Sequence, residues 1–262
     1  MAYWIVALAA LPVSALTLFS GFGLGTLLMP VFALFFPVDV AIAATALVHA
    51  LNNALKLPLF GRGASWSVVR RFGLPAVAAA FLGAAALESL AGLEPLASYS
   101  LGGRTAEISP VKLVVAGLIF FFALFELLPR FQRLSFDPRL LTAGGVLSGF
   151  FGGLSGHQGA LRSAFLAKSG LSPEQFVGTN AVIGFLVDLA RILVYGATFA
   201  SGDLFQGDSS FGWSLVAVAA ASAFAGLLLG RRFLKKVTMK TIQIMTGTLL
   251  LAVAVALGCG VI

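Results

Sequence analysis

Charged residues are scarce in this chain, and their scarcity sets the first limit on what it is. Asp, Glu, Lys and Arg make up 10% of its 262 residues, whereas hydrophobic residues make up 59%. A soluble domain carries about 25% charged residues, so this set is too small to cover a water-facing surface. The composition therefore excludes a soluble globular protein and predicts a protein embedded in a lipid bilayer.

Cysteine and histidine are also nearly absent, and this limits the chemistry. The single Cys259 lies in the last apolar segment, which excludes a disulfide framework. His49 and His157 have no acidic or thiol partner at ligand spacing, so neither a metal nor any other cofactor is predicted. The polar residues are scattered singly rather than as a nucleophile with its base, so the sequence does not indicate an enzyme.

Long apolar segments are what the chain has in abundance. They lie at about 3–36, 38–60, 72–92, 110–129, 139–168, 173–200, 211–230 and 239–261. About 20 apolar residues are enough to cross the hydrocarbon core as a helix, so every segment is long enough. The predicted fold class is an all-α integral membrane protein that forms one membrane domain.

Glycine clusters interrupt the first and the fifth segments. The first contains Ser-Gly-Phe-Gly-Leu-Gly at 20–25, and the fifth contains Gly-Gly-Leu-Ser-Gly-His-Gln-Gly at 152–159. Glycine adds conformational freedom and exposes the backbone, which breaks a helix. Each segment is therefore predicted to be two shorter helices, the second of which begins near Leu24 or near Gly159.

The two interrupted segments occupy corresponding places in the chain. A shift of about 134 residues puts Gly25 on Gly159 and Thr45 on Thr179. We interpret the chain as two copies of one unit, 1–130 and 131–262, each a broken or re-entrant helix followed by three transmembrane helices. An internal repeat with broken helices is typical of secondary transporters.

Loop charge decides the orientation of the second copy. With eight full spans, loop Lys and Arg would be spread over both faces of the membrane. If the fifth segment is a re-entrant hairpin, nearly all of them fall on one face, which the positive-inside rule assigns to the cytoplasm. Three full crossings per copy then invert the second copy and place both termini in the periplasm. A kinked full span remains the alternative for the first segment. The net charge of +7 is thus explained by topology, and no nucleic-acid partner is predicted.

Polar residues inside the bilayer are costly, which makes them candidates for a functional site. His49, Asn52, Asn53 and Lys56 recur at spacings of three and four and are predicted to form one stripe on a helix, and Asp188 and Arg191 are able to pair. The candidate substrate-binding residues are Gly23, Gly25, Thr26, His49, Asn52, Asn53, Lys56, Ser155, His157, Gln158, Gly159, Arg162, Asn180, Asp188 and Arg191.

Each candidate has a plainer alternative. Lys56 is close enough to its helix end to reach the interface, and Asp188 with Arg191 forms a structural pair in the simpler interpretation. Glu88 and Glu126 are expected at the interface.

The charge balance of these residues points to an anion. Lys56, Arg162 and Arg191 stand against one mid-depth carboxylate, Asp188. The half-helix N-termini add unpaired N–H groups, each with about half a positive charge, and such termini bind anions readily.

Several motifs resemble the sulfite exporter TauE/SafE family. They are Gly-Phe-Gly-Leu-Gly (21–25) followed by Met-Pro (29–30), Ala-Thr-Ala (44–46), Gly-Gly-Val-Leu-Ser-Gly-Phe-Phe-Gly-Gly (144–153) and Val-Gly-Thr-Asn-Ala (177–181). The resemblance covers nearly the whole chain, and it implies a permease for sulfite, sulfonates such as sulfoacetate, or related sulfur anions. The second copy departs from the family pattern, because His157, Gln158 and Arg162 intrude and Ala164 stands where a Pro is usual.

These observations favour an inner-membrane exporter of a small anion that works by alternating access. An anion channel is the alternative, and a membrane-embedded enzyme or assembly factor a more distant one. His157 or Asp188 is able to bind and release a proton, which would couple proton movement to transport. The glycine-rich spans are able to pack within the chain or between the subunits of a homodimer.

Overall fold

The computed structural model describes residues 1–20, 23–102, 104–132, 134–200, 209–233 and 239–262. Its helices match the apolar segments closely. They are α1 (Ala2–Ser20), α2 (Leu24–Ala33), α3 (Val38–Phe60), α4 (Trp66–Val68), α5 (Leu74–Ala91), α6 (Pro110–Leu127), α7 (Pro129–Gln132), α8 (Leu141–Ser155), α9 (Gly159–Leu166), α10 (Pro173–Ala200), α11 (Ser209–Phe233) and α12 (Met239–Gly258). A π-helical turn, Val69–Gly73, joins α4 to α5.

Several of these helices are long and apolar enough to cross a membrane. Within the described residues five qualify: Val38–Gly63, Trp66–Ala91, Pro110–Leu127, Pro173–Gly196 and Ser210–Gly230. Shorter apolar helices cover Ala2–Ala15, Leu24–Ala33 and Gly247–Gly258. The chain is therefore an all-α, multi-pass membrane protein, as its composition predicts.

Glycines lie at the ends of the half-helices where the sequence predicts the breaks. Gly156 follows α8 with a φ of 79°, a left-handed conformation that favours glycine, and its N–H donates to the Gly152 carbonyl at 2.9 Å. Gly23 precedes α2 with a φ of 118°. Gly21 and Phe22, which belong to the first predicted break, lie outside the described residues. The second half-helices begin at Leu24 and Gly159, as predicted.

The fifth segment folds back on itself as a hairpin. Ser148 of α8 donates its hydroxyl to the Gln158 carbonyl at 2.9 Å, and a methyl group at Gly144 would lie 2.4 Å from the ring of Phe165 in α9. Just before α8, the Phe136 ring stacks on Phe165 with centroids 4.1 Å apart. Helix α9 thus runs back beside α8 towards the point where the chain entered. α1 and α2 also pack against each other.

The contacts between helices follow the pattern expected if the chain consists of two copies of one unit. The predicted shift relates α1 to α8, α3 to α10, α5 to α11 and α6 to α12. The most extensive contacts are α5 with α8 and α1 with α11, which are equivalent under this exchange, followed by α6 with α12 and α3 with α10, which each map onto themselves. The repeat boundaries stay a prediction that this pattern supports.

Glycines allow the helices to approach each other closely at both equivalent crossings, α5 with α8 and α1 with α11. A methyl group at Gly149 of α8 would lie 2.0 Å from the Ala76 carbonyl oxygen of α5. One at Gly226 of α11 would lie 2.1 Å from the Leu11 carbonyl oxygen of α1. At these positions the glycine-rich helices pack within the chain.

A short β-hairpin between α5 and α6 is not among the predicted elements. Strands β1 (Ala97–Leu101) and β2 (Arg104–Ile108) pair antiparallel, with Tyr99 opposite Ala106. The hairpin also contacts the C-terminal residues, because the Glu107 N–H donates to the Gly260 carbonyl at 3.2 Å. Two glycines between alternating residues are a known hairpin signal, and the Gly-Gly at 102–103 would have predicted this turn.

Candidate functional site

The tips of the two broken segments meet in the interior. A methyl group at Gly25, in the first turn of α2, would lie 3.5 Å from the Gly156 carbonyl oxygen in the α8–α9 break. The same point lies 3.7 Å from the His49 ring of α3. The first N–H groups of a helix have no acceptor within that helix. The beginnings of α2 and α9 therefore bring two sets of such donors, with their partial positive charge, to one place.

A buried carboxylate organises the side chains on the α3–α10 side of these tips. Asp188 is fully buried in α10, and its Oδ2 accepts from His49 Nδ1 at 2.6 Å and from Asn53 Nδ2 at 3.2 Å. Its Oδ1 accepts from Arg191 at 2.8 and 3.1 Å and from Gln158 Nε2 at 3.3 Å. Asp188 and Arg191 do pair, as their spacing predicts. Because a carboxylate only accepts, we assign the proton of His49 to Nδ1.

Arg162 of α9 is held beside this cluster. Its Nε donates to Asn180 Oδ1 at 2.6 Å and its NH1 donates to Gln158 Oε1 at 3.1 Å. The Gln158 amide thus links the Arg162 guanidinium to Asp188. The close approach depends on Gly184, where a methyl group would lie 2.8 Å from Asn53 Nδ2 and 3.4 Å from Arg162 NH1. Arg162 is surrounded by protein, with 2% of its surface exposed.

Lys56 completes the group of buried cations. It lies in α3, one turn after Asn53, with 8% of its surface exposed. In the part of the chain that the structure describes, no carboxylate lies within salt-bridge distance of its ammonium group. Lys56, Arg162 and Arg191 thus outnumber Asp188, the carboxylate on this side of the tips.

A narrow cavity lies on the other side of the tips, and we call it the tip cavity. Its lining residues are Thr26, Phe122, Glu126, His157, Ala160 and Leu250. It has no room for a water molecule, so a ligand enters only if side chains move. His157 stacks on Phe122 with centroids 5.6 Å apart, and its Nδ1 lies 2.8 Å from the Ser155 carbonyl oxygen. Its buried Nε2 has no hydrogen-bond partner among the described residues.

Not every candidate residue joins these two groups. Asn52 faces α1 and α11 instead, where its Nδ2 donates to Ser14 Oγ at 2.8 Å. Ser155 donates its hydroxyl to the Phe151 carbonyl at 3.0 Å, within its own helix, and its Oγ lies 3.3 Å from His157 Nδ1. Gly23 forms the turn before α2 and Gly159 begins α9.

Glu126 lies where the sequence interpretation did not put it. We expected it at the interface, but 3% of its surface is exposed. Helix α12 covers it, since a methyl group at Gly247 would lie 3.0 Å from Glu126 Cβ. The available signal was spacing: Val115, Ile119, Phe122 and Glu126 fall on one helix face, and the first three belong to the core. Glu88 is exposed, and its place at the interface stays a prediction.

Tyr195 of α10 is a second residue that the sequence interpretation left out. It is buried, and its hydroxyl donates to the Gly153 carbonyl of α8. A single Tyr in an apolar helix carries no pattern that singles it out. This hydrogen bond fixes α10 against α8 two residues before α8 ends, close to the turn that carries His157.

Paired half-helix N-termini inside a multi-pass bundle, surrounded by buried cations, are typical of membrane transport proteins. The chain belongs to a known family of that class: the profile of the sulfite exporter TauE/SafE family matches residues 6–257, nearly its whole length. Members of that family are membrane exporters of sulfite and related sulfur compounds, so this chain is a membrane transporter. Neither the comparison with curated proteins nor the comparison with solved structures gave a match.

Proposed function

We propose that the protein is a secondary transporter that exports a small sulfur oxyanion or sulfonate across the inner membrane by alternating access. The observation that carries this proposal is the meeting of the two half-helix tips, with Gly25 against the Gly156 carbonyl oxygen. Unpaired N–H groups at such tips bind anions without needing a charged side chain. Membership of the sulfite exporter family supports a sulfur compound as the substrate.

In this proposal the tips bind the anion and the buried cations hold it by their charge. The first N–H groups of α2 and α9 and the hydroxyl of Thr26 donate to the anion. Arg162 and Lys56 supply a positive field from a low-dielectric interior, where charges interact strongly. Asp188 keeps Arg191 in place and limits the positive charge of the empty site. This balance favours a ligand that brings its own negative charge.

Alternating access follows from the relation between the two halves. Each half supplies one hairpin tip, so the site lies between them. When two inverted halves rock against each other, a site between them is opened to one face of the membrane and then to the other. The exchange of helix contacts between the halves supports this mechanism. The membrane potential, negative inside, favours efflux of an anion.

The first test of this function is Arg162→Ala in proteoliposomes. Purified protein is screened by thermal shift against sulfite, sulfoacetate, thiosulfate, sulfate and chloride, because a specific ligand raises the melting temperature. We expect one sulfur anion to stabilise the wild type and to be transported, and Arg162→Ala to lose both effects. The control is Arg70→Ala, which removes an exposed arginine from the turn between α4 and α5. Transport unchanged by Arg162→Ala would remove this residue from the site.

A counterflow experiment separates a transporter from a channel. A transporter that alternates exchanges labelled external anion for unlabelled internal anion and saturates with concentration. A channel has no occluded state and shows neither property. Flux that rises linearly with concentration, without counterflow, would replace the transporter proposal with a channel.

A further inference from the structure

Glu126 lies between the tip cavity and a second, open cavity. The open one, which we call the vestibule, has a volume of about 140 Å³. It is enclosed by the end of α6, α7, α9 and the beginning of α12, and its lining includes Glu126, Phe131, Ala160, Ser163 and Gln243. Glu126 and Ala160 line both cavities. The Glu126 side chain therefore stands between the vestibule and the tips of the half-helices.

The vestibule lies at the end of the molecule that carries most basic loop residues. It adjoins the α6–α8 connection, which contains Arg130 and Arg139, and the end of α9, which is followed by Lys168. The positive-inside rule assigns this end to the cytoplasm. From this end of the molecule, the vestibule, Glu126 and the tip cavity thus follow one another towards the proposed anion site, and side chains must move before an anion passes.

Among the side chains that the structure describes, His157 is the other titratable group that lines these two cavities together with Glu126. The α8–α9 break presents His157, while α2 presents Thr26, α9 presents Ala160 and Ser163, and α12 presents Gln243 and Leu250. Arg162 of α9 turns the other way, to Asn180 and Gln158, and Arg130 and Lys168 are exposed. This account covers the described side chains, which on the elements around the vestibule leave out 132, 133, 231–242, 245 and 246.

We propose that Glu126 is a proton-controlled gate on the cytoplasmic side of the anion site. This gate rests on the proposed function, the transport of an anion. As a carboxylate, Glu126 repels an anion that must pass it. When one proton from the cytoplasmic water binds a carboxylate oxygen, the side chain becomes neutral and is able to donate a hydrogen bond to the anion.

The gate makes proton binding and anion binding favour each other. If a proton on Glu126 raises the affinity for the anion, then the anion raises the affinity for the proton by the same factor. Removing one negative charge near the site is worth roughly tenfold in affinity or more in a partly desolvated environment. The substrate is therefore taken up at the cytoplasmic face together with a proton.

The test uses purified protein and an anion whose own charge does not change. Sulfoacetate, thiosulfate and sulfate stay fully ionised between about pH 5.5 and 8.5, and the one that stabilises the wild type most is used. Its Kd is measured across that range by calorimetry, in two buffers of different ionisation enthalpy, which also counts the protons taken up. We expect the wild type to bind more weakly as the pH rises and to take up a proton on binding.

Two variants assign the effect to Glu126. Glu126→Gln mimics the neutral form, and we expect it to bind the anion at high pH roughly tenfold more tightly than the wild type, with no pH dependence and no proton uptake. Glu88→Gln, which changes an exposed carboxylate near the end of α5, should behave as the wild type does.

Three results would contradict these expectations, and each has its own meaning. Wild-type binding that is independent of pH and takes up no proton overturns the gate without any variant. Unchanged pH dependence in Glu126→Gln also overturns it. If no anion binds to the wild type at any pH, the proposed transport function fails, and the gate fails with it.

Discussion

Asp188 holds together the buried polar cluster between α3 and α10. It accepts hydrogen bonds from His49, Asn53, Gln158 and Arg191, and none of these five residues has more than 8% of its surface exposed. Removing one partner of a buried ion pair leaves the other charge without compensation, which costs about 3–5 kcal/mol. The carboxylate is thus important for folding as well as for the charge of the site.

Asp188→Asn tests how much this carboxylate contributes to folding. Since it leaves the Arg191 guanidinium buried without a counter-charge, we expect a loss of roughly 3–5 kcal/mol in stability, seen as a lower melting temperature in detergent. Glu94→Gln, in the exposed loop after α5, is the control. Equal melting temperatures for the two variants would show that the cluster does not depend on this carboxylate.

Contacts between residues that are close in the chain are easier to predict from the sequence than contacts between distant residues. Asp188 and Arg191 are three apart on one helix, so their pairing follows from helix geometry. The contact between Asp188 and His49 spans 139 positions, and no periodicity predicts it. The burial of Glu126 also depends on a distant element, α12, which covers the end of α6.

Among the contacts between helices, the close packing of α5 against α8 is central to the fold. Gly145, Gly149 and Gly153 repeat every four residues on α8, and a methyl group on each would lie 2.0 to 2.2 Å from a carbonyl oxygen of the chain stretch that leads into and through α5. Because real side-chain carbons do not approach backbone so closely, any larger residue pushes the two helices apart. This crossing supports the base of the α8–α9 hairpin.

Gly149→Ala tests this packing. We expect a destabilisation of about 2 kcal/mol or more, because the added methyl forces backbone to move in a well-packed interface. The control is Gly117→Ala in α6, where nothing lies within 4 Å of the added methyl and helix propensity alone favours alanine by about 1 kcal/mol. Thermal unfolding in detergent measures both. A Gly149→Ala protein as stable as the Gly117→Ala protein would contradict the predicted close contact.

The elements themselves are largely predictable from the chain. Continuous apolar segments predict the long helices, and glycine clusters predict the two breaks, because both signals are local. The β-hairpin at 97–108 also has a local signal, the Gly-Gly pair at 102–103, but this signal is weak beside the long apolar segments that predict helices. The meeting of the two tips, by contrast, depends on how α3 and α10 pack around them.

At the scale of the whole molecule, two hydrogen bonds show which loops share an end. Arg71 NH2 donates to the Pro138 carbonyl at 3.1 Å, which joins the α4–α5 turn to the start of the fifth segment. At the other end, the Glu107 N–H donates to the Gly260 carbonyl at 3.2 Å. The first end carries most of the basic loop residues and the second carries Glu94 and Glu107. This asymmetry supports the orientation that loop charge predicts.

Cysteine labelling of intact cells tests that orientation and the hairpin together. In a Cys259→Ser background, Arg139→Cys and Lys168→Cys mark the two ends of the fifth segment, and Glu94→Cys and Val261→Cys mark the opposite end. All four positions are exposed. We expect a membrane-impermeant thiol reagent to label positions 94 and 261 from outside, and to reach 139 and 168 only after the membrane is permeabilised. Labelling of 139 and 168 from opposite faces would make the fifth segment a full span, so that its tip would no longer turn back beside Gly25 and the two halves would no longer be inverted.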